Sequence, residues 1–227
     1  VQYVNRPNLN FRGFCGTVAS GEVNVGDGIK VLPSGKQSKV ARIVTADGDL
    51  PKAFIGQAVT LTLEDEIDIS RGDMIVKADD PVTASNHFDA HMVWMAEAPM
   101  QPGKTYAFKF AGKVSNGTIP NIHYRIDVNT QEHSEVSELA LNDIALIELS
   151  LDQNVLADPY TQNRATGAFI VIDKLTNVTV GAGMVTKKLE KQSAETQFSA
   201  FEVELNALIR KHFPHWDAKD LSQILKK

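Results

Sequence analysis

Short alternating runs of apolar and polar residues fill the first 84 positions of the chain. In QAVTLTL, for example, Leu61 and Leu63 alternate with Thr60 and Thr62, which is the period of a half-buried strand. Gly, Asp, Asn and Pro divide such runs at intervals of about 8–12 residues, a spacing typical of a sandwich or barrel. Asp47-Gly48 between two such runs predicts a tight turn. The pattern therefore predicts a small antiparallel β-barrel over residues 1–84.

A second group of strand-like runs extends over residues 85–187 and includes HMVWMAE, KTYAFKFAG and GAFIVIDKLTNVTV. The stretch DDPVTASNH between the two groups is short, polar and rich in turn-forming residues, which is typical of a linker between compact domains. We therefore expect a second small barrel that follows the first in tandem.

Residues 188–227 change to the period of a helix. Ser199 precedes Glu202 by three positions, the spacing of a capping box, and Leu205 belongs to an apolar face that ends before Pro214. A weaker start signal follows that proline. The predicted fold class is therefore all-β with a short helical tail: two antiparallel β-barrels in tandem, followed by one or two C-terminal helices.

Composition then excludes several classes of protein. The 227-residue chain has a formal net charge of −5, which argues against a dedicated nucleic-acid-binding protein, because such proteins are usually basic. Cys15 is the only cysteine, so neither an intramolecular disulfide nor a cysteine metal cluster can form within the chain. No apolar run is long enough to cross a bilayer, and we expect a cytoplasmic protein without a membrane partner.

Two glycine-containing stretches raise the question of a phosphate-binding loop. The stretch from Ala98 to Thr105 contains Gly-Lys-Thr, but Pro99 and Pro102 remove backbone donors that such a loop needs, and YAFKFAG continues as a strand instead of a helix. The glycines between residues 11 and 35 lack both the complete dinucleotide-binding fingerprint and its βαβ context. Ser20-Gly21 and Gly26-Asp27-Gly28 therefore indicate tight turns whose glycines need a positive φ. We therefore predict no cofactor-binding residues.

Acidic and histidine clusters do not predict a metal or catalytic site either. The carboxylates at residues 64–68 lack the spacing of a calcium loop, so a solvated strand end is expected there. His87 and His91 have no third ligand nearby in sequence. We predict no metal ligands and no catalytic residues.

Several longer stretches resemble one protein family. The second domain of translation-factor-type GTPases is similar to PNLNFRGFCGTVASGEVNVGDGIKVLPSGKQSKVARI and IGQAVTLTLEDEIDISRGDMIV. Their third domain is similar to MQPGKTYAFKF, IHYRIDVNT and NRATGAFIVIDKLTNVTVGAGMV. The ending FSAFEVELNALIRKHFPHW resembles the C-terminal extension of the large, GTP-binding subunit of bacterial ATP sulfurylase (sulfate adenylyltransferase subunit 1). The resemblance to this family covers essentially the whole chain.

The resemblance implies a piece of a longer protein. In this family a GTPase domain would precede Val1 and would bind GTP and magnesium, while a smaller catalytic subunit binds ATP. The intact heteromer makes adenosine 5′-phosphosulfate from ATP and sulfate, and GTP hydrolysis drives that step. The present chain would then be non-catalytic and would couple the GTPase to the catalytic subunit, which is its implied partner.

We predict a partner interface at Asn163, Arg164 and Thr166, because a guanidinium fork suits recognition across an interface. The alternative that Arg164 only stabilises its own loop stays open. A second function also stays open, namely barrels that bind tRNA or the ribosome in a translation elongation factor-like GTPase. The acidic balance of residues 81–186 and the sulfurylase-like tail disfavour it.

Overall fold

A computed structural model describes residues 1–189, 205–206, 208–209 and 211. Residues Val1–Leu189 form one compact unit. In the other unit, Glu190–Lys227, the five described residues are helical, and the rest of the predicted helical tail, including its capping box, lies outside the described residues.

Residues 1–77, the first β region, contain nine short strands. They are β1 (Tyr3–Asn8), β2 (Phe11–Thr17), β3 (Glu22–Asn24), β4 (Gly28–Leu32), β5 (Gln37–Thr45), β6 (Gly48–Leu50), β7 (Lys52–Phe54), β8 (Ala58–Leu63) and β9 (Met74–Lys77). The main sheet has the order β1-β2-β8-β5-β4-β9, with β6 paired to β5, while β3 and β7 form a separate ribbon. All these pairs are antiparallel.

The sequence pattern explains the inner face of this sheet. On β8, Val59 and Leu61 are buried, as the alternation with threonine predicts, and they pack with Phe14 and Ile43 in one core. The predicted tight turn at Asp47-Gly48 joins β5 to β6, and Gly48 has a φ of +123°, which favours glycine.

Residues 85–188, the second β region, contain seven strands and one helical turn. They are β10 (Ser85–Trp94), β11 (Thr105–Phe110), β12 (Lys113–Ile126), β13 (His133–Ser134), β14 (Ile144–Val155), α1 (Arg164–Gly167), β15 (Ala168–Ile172) and β16 (Thr179–Lys188). The ladder runs β11-β15-β16-β10-β14-β12, and β12 pairs back with β11. The sheet is therefore a closed six-stranded barrel, so a barrel in this part of the chain is confirmed.

Aromatic side chains dominate the interior of the closed barrel. Alternate residues of β10, including Phe88 and Trp94, point inward and are buried. The rings of Phe108 and Phe169 lie 6.0 Å apart in an edge-to-face arrangement, and those of Phe110 and Phe169 lie 4.9 Å apart. The second region therefore contains the larger hydrophobic core of the two.

Candidate interface site

The predicted interface residues lie on the segment that links β14 to β15. This segment is held to the closed barrel by a backbone hydrogen bond from the Tyr160 N–H to the Val185 carbonyl, 2.8 Å long. The Thr166 hydroxyl donates to the Asp158 carboxylate at 2.5 Å, and Thr166 is 4% exposed. Thr166 thus fixes the fold of the segment from inside, and the sequence had not indicated Asp158 as its partner.

Close packing also fixes the end of the segment. A Cβ atom at Gly167 would lie 2.6 Å from the Cα atom of Tyr160 and 2.7 Å from the carbonyl oxygen of Asp158. Only glycine fits without movement of the backbone, so α1 is pressed against the preceding turn. The only advance signal in the sequence was the Asp-Pro pair at Asp158-Pro159, which marks a turn but not its contacts.

Asn163 connects the two β regions. Its side-chain oxygen accepts the N–H of Ala165 at 3.0 Å and so caps α1, while its amide nitrogen donates to the carbonyl oxygen of Ala19 in the first region at 3.1 Å. One side chain therefore satisfies a helix cap and a contact between regions at the same time.

Arg164 is the exposed member of the predicted set. Its guanidinium carbon lies 6.0 Å from the centre of the Tyr160 ring, within the usual range of a cation–π contact. The side chain therefore touches its own segment and is also accessible to a partner. Both sequence interpretations of Arg164 are compatible with this placement, and the interface at Asn163, Arg164 and Thr166 stays a prediction.

A second contact brings the backbones of the two regions together. A Cβ atom at Gly72 would lie 3.0 Å from the Cβ of Lys113 and 3.1 Å from the carbonyl oxygen of Gly112. Gly72 also has a φ of +92°, a conformation that favours glycine. We call this contact, together with the Asn163–Ala19 hydrogen bond, the joint between the regions.

A cleft of about 540 Å³ opens beside the joint. Asp158, Asn163 and Thr166 line one side, and residues 14–23 and 74–77 of the first region line most of the rest. A separate groove of about 600 Å³ lies on the outer face of the closed barrel and reaches Tyr160 and Ala165. The predicted interface segment therefore lies between two concave surfaces.

The Gly103-Lys104-Thr105 stretch forms a turn that enters β11, and the prediction of a strand after it is confirmed. The Lys104 ammonium lies 3.0 Å from the Asp173 carboxylate. The N–H group of Thr176, then the Lys104 ammonium, holds the pKa of Asp173 well below its usual range. The lysine therefore contributes to an ion pair between two loops of the barrel.

The acidic residues at positions 64–68 also have protein partners. Asp65 accepts the Ser38 hydroxyl at 2.8 Å, and Asp68 lies 3.3 Å from Arg12. Within the described part of the chain, no group of three or more His, Cys, Asp or Glu residues could hold a metal ion. Among the same residues, no helix is long and apolar enough to cross a membrane.

Comparison with known proteins identifies the family. Residues 87–186 match the family described as GTP-eEF1A C-terminal domain-like. Sulfate adenylyltransferase subunit 1 of Saccharophagus degradans is 69% identical over 99% of this chain. The chain belongs to the sulfate adenylyltransferase subunit 1 family. The subunit of Cellvibrio japonicus is 65% identical over 100% of the chain, and the chain spans about half, 48%, of the length of both relatives. The resemblance deduced from the sequence is thus confirmed.

Solved structures show that the fold of this family member is shared more widely. Sup35 complexed with GDP superposes with a TM-score of 0.75 at 18% identity, covering 83% of this chain and 46% of that one. Sup35 complexed with GMPPNP gives a TM-score of 0.72 at 17% identity, covering 79% and 44%. At this level of identity the likeness concerns the fold alone.

Proposed function

We propose that the chain is the non-catalytic part of the GTP-dependent subunit of a sulfate adenylyltransferase. In that role it couples GTP hydrolysis to the synthesis of adenosine 5′-phosphosulfate from ATP and sulfate. The observation that carries the proposal is the 69% identity over 99% of the chain to a sulfate adenylyltransferase subunit 1. The remainder of the full-length subunit binds GTP and magnesium, and a small catalytic subunit binds ATP in a cytoplasmic heteromer that serves sulfate assimilation.

The joint supports a mechanical role for the two β regions. Backbone atoms at Gly72 and Gly112 approach so closely that the regions cannot slide past each other without losing the contact, and Asn163 ties them at a second point. A displacement of one region is therefore passed to the other as a movement of rigid bodies. In this proposal the first region is a barrel of the second-domain type of translation factors, the closed barrel is of the third-domain type, and a helical tail follows.

The coupling is tested with the full-length subunit and its small catalytic partner. Formation of adenosine 5′-phosphosulfate is measured with GTP, without nucleotide and with a non-hydrolysable GTP analogue. We expect product formation to rise with GTP hydrolysis and to fall when hydrolysis is blocked. A rate that is the same in all three conditions would contradict the coupling role.

The interface is tested by a matched pair of substitutions on one loop. Arg164 and Gln162 are both exposed, but only Arg164 carries the guanidinium that we place against the partner. Arg164→Ala is expected to weaken binding of the catalytic subunit by about tenfold or more, and Gln162→Ala to change it little. Unchanged affinity in both variants, measured by calorimetry, would assign Arg164 to its own loop only.

The alternative function, tRNA binding, has a simple test of its own. The net charge of −5 predicts no gel shift with tRNA at near-physiological salt. A shift that weakens steeply as salt rises would instead favour a translation elongation factor-like role.

A further inference from the structure

Strand β15 of the closed barrel is apolar on both of its faces. Its sequence AFIVI contains no polar residue. Phe169 and Val171 are buried in the barrel interior, so Ala168, Ile170 and Ile172 point outward, because side chains alternate along a strand. Continuously apolar strands are typical of sheets covered on both faces, whereas an uncovered antiparallel sheet usually carries polar side chains on its outer face. The sequence of β15 therefore indicates that the outside of the barrel is covered here in the assembled protein.

The neighbouring strand β16 continues the apolar surface. A Cβ atom at Gly183 would lie 2.2 Å from an atom of the Phe169 ring, so Gly183 faces the interior. Ala182 and Met184, on either side of it, therefore face outward, and Met184 is 42% exposed. An exposed methionine within an apolar patch is a feature of surfaces that bind other proteins.

Strand pairing brings the outward positions into one row. Ile170 pairs with Ala182, and Ala182 pairs with Val93 on β10. Val93 in turn pairs with Ile144 on β14, and at the other end of the row Ile170 pairs with Lys109 on β11. Directly paired residues place their side chains on the same face of the sheet, about 4.5–5.5 Å apart. The row is therefore a continuous apolar surface that ends in a cation.

The groove of about 600 Å³ on the outer face of the barrel lies over this row. Ala168 pairs with Met184 and Ile170 with Ala182, so small and large side chains alternate and leave a depression between them. Tyr160, from the segment that links β14 to β15, also lines the groove. The apolar surface is thus continuous with the predicted interface segment.

The charges at the groove are positive, although residues 81–186 as a whole contain more Asp and Glu than Lys and Arg. Lys109 lies at the end of the row and is exposed, and the exposed Arg164 lies over the ring of Tyr160. None of the described residues that line the groove is a carboxylate. An apolar surface bordered by cations favours a ligand segment that is itself apolar and carries acidic residues.

We propose that this groove binds a segment of the small catalytic subunit that combines apolar side chains with carboxylates. The apolar side chains of that segment cover Ile170, Ala182 and Met184, and its carboxylates pair with Lys109 and Arg164. The partner interface then extends from the α1 segment across the outer face of β15 and β16. The identity of the partner rests on the proposed function, whereas the chemistry of the groove rests on the described residues alone.

Substitutions of two methionines test the apolar part of the groove. The affinity of the full-length subunit for the small catalytic subunit is measured by calorimetry. Met184→Glu places a charge in the groove and should weaken binding by about tenfold or more, whereas Met184→Leu keeps the apolar contact and should change the affinity by less than about twofold. Met95→Glu is the matched control, because Met95 is 52% exposed directly after β10 and does not line the groove. Unchanged affinity in a Met184→Glu variant that unfolds at the wild-type temperature would overturn the proposal.

Substitutions of two lysines test the basic part of the groove and decide the matter if Met184→Glu does not fold. Lys109 and Lys174 are both exposed, but only Lys109 lines the groove. Lys109→Glu and Lys174→Glu change the net charge of the subunit by the same amount. We expect Lys109→Glu to weaken binding by about tenfold or more and Lys174→Glu by less than about twofold. Equal losses would assign the effect to net charge, and no loss in Lys109→Glu would exclude an acidic ligand segment; either result contradicts the proposal.

Two further measurements distinguish other occupants of the groove and separate this proposal from the proposed function. Light scattering of the full-length subunit alone reports whether two copies associate. If Met184→Glu separates such a dimer but leaves the affinity for the catalytic subunit unchanged, a second copy fills the groove and the proposal is wrong. Formation of adenosine 5′-phosphosulfate is measured with and without GTP in the same variants. Unchanged affinity together with GTP-dependent product formation would refute the groove and leave the proposed function standing.

Discussion

Both β regions are antiparallel sheets, but they differ in how the ends of the sheet are joined and in what fills the core. In the second region, the ladder from β12 to β11 closes the sheet, and six aromatic rings fill its interior: Phe88, Trp94, Tyr106, Phe108, Phe110 and Phe169. In the first region, Phe14 is the one buried aromatic side chain among the described residues, and Val1 provides the hydrogen bonds that link the two ends of the sheet. The closed barrel therefore combines a continuous ladder with an aromatic core, whereas the first region has a smaller and mainly aliphatic core.

The largest expected effect comes from the aromatic core of the closed barrel. Phe108→Ala removes a fully buried ring and should lower the free energy of unfolding by about 3–5 kcal/mol. Phe14→Ala should cost less, because Phe14 already faces the cleft on one side. Amide exchange of buried strand residues measures the stability of each region separately. Equal losses would show that the cleft wall is packed as tightly as the barrel interior.

The second-largest expected effect on stability comes from substitution of Gly72 at the joint. Gly72→Ala introduces strain at a φ of +92° and also pushes into Lys113 and Gly112. Gly35→Ala has nearly the same backbone strain at +76° but no atom within 4 Å of the new Cβ, so it is the matched control. Each should lose about 1–2 kcal/mol from the left-handed backbone alone. Gly72→Ala should lose about 1–3 kcal/mol more in thermal unfolding.

Two substitutions of Asn163 distinguish the contribution of the helix cap from that of the contact between regions. Asn163→Ala removes both hydrogen bonds and should cost about 0.5–2 kcal/mol. Asn163→Asp keeps an acceptor for the Ala165 N–H but removes the donor to Ala19. Equal losses of stability in thermal unfolding would show that the hydrogen bond to Ala19 is responsible. A loss in Asn163→Ala alone would show that the helix cap is responsible.

The smallest effect concerns the ion pair on the closed barrel. The pKa of Asp173 is lowered, mainly by the Thr176 N–H and then by Lys104, so its contribution to stability is present above the ordinary Asp pKa of about 3.9. The contribution is lost as the pH falls through the lower pKa of the folded protein. Chemical denaturation gives the free energy of unfolding of wild type and Asp173→Asn. The difference between the two proteins should become smaller as the pH is lowered from about 6 to about 3. Asp152→Asn, at an exposed carboxylate, is the control and should show no such trend.

Much of the local structure followed from the sequence. The alternation in β8 predicted the burial of Leu61, although Leu63 is only partly buried, and the turn at Asp47-Gly48 was correctly placed. One detail was wrong: of the glycines in Gly26-Asp27-Gly28, only Gly26 has a positive φ, because Gly28 already begins β4. Turn residues act over a few positions, and such short-range effects are visible in a single sequence.

The candidate site was only partly accessible to sequence reasoning. Residue type alone suggested Arg164, and the structure leaves it exposed. Thr166 was predicted as a polar loop residue at the interface, but its hydroxyl bonds to Asp158 inside the segment. Nothing in the sequence pairs Asn163 with Ala19, which lies 144 positions earlier.

The sequence by itself determined the strand periods, the turns, the family and the absence of a disulfide within the chain. Only the tertiary structure decided that β11 closes on β12, that Gly72 meets Gly112, and that Val1 bonds to Gly72. The physical reason is the distance along the chain over which each interaction acts. Alternation and turn chemistry are set by neighbours along the chain, whereas closure and contact between regions depend on backbone edges brought together from distant positions.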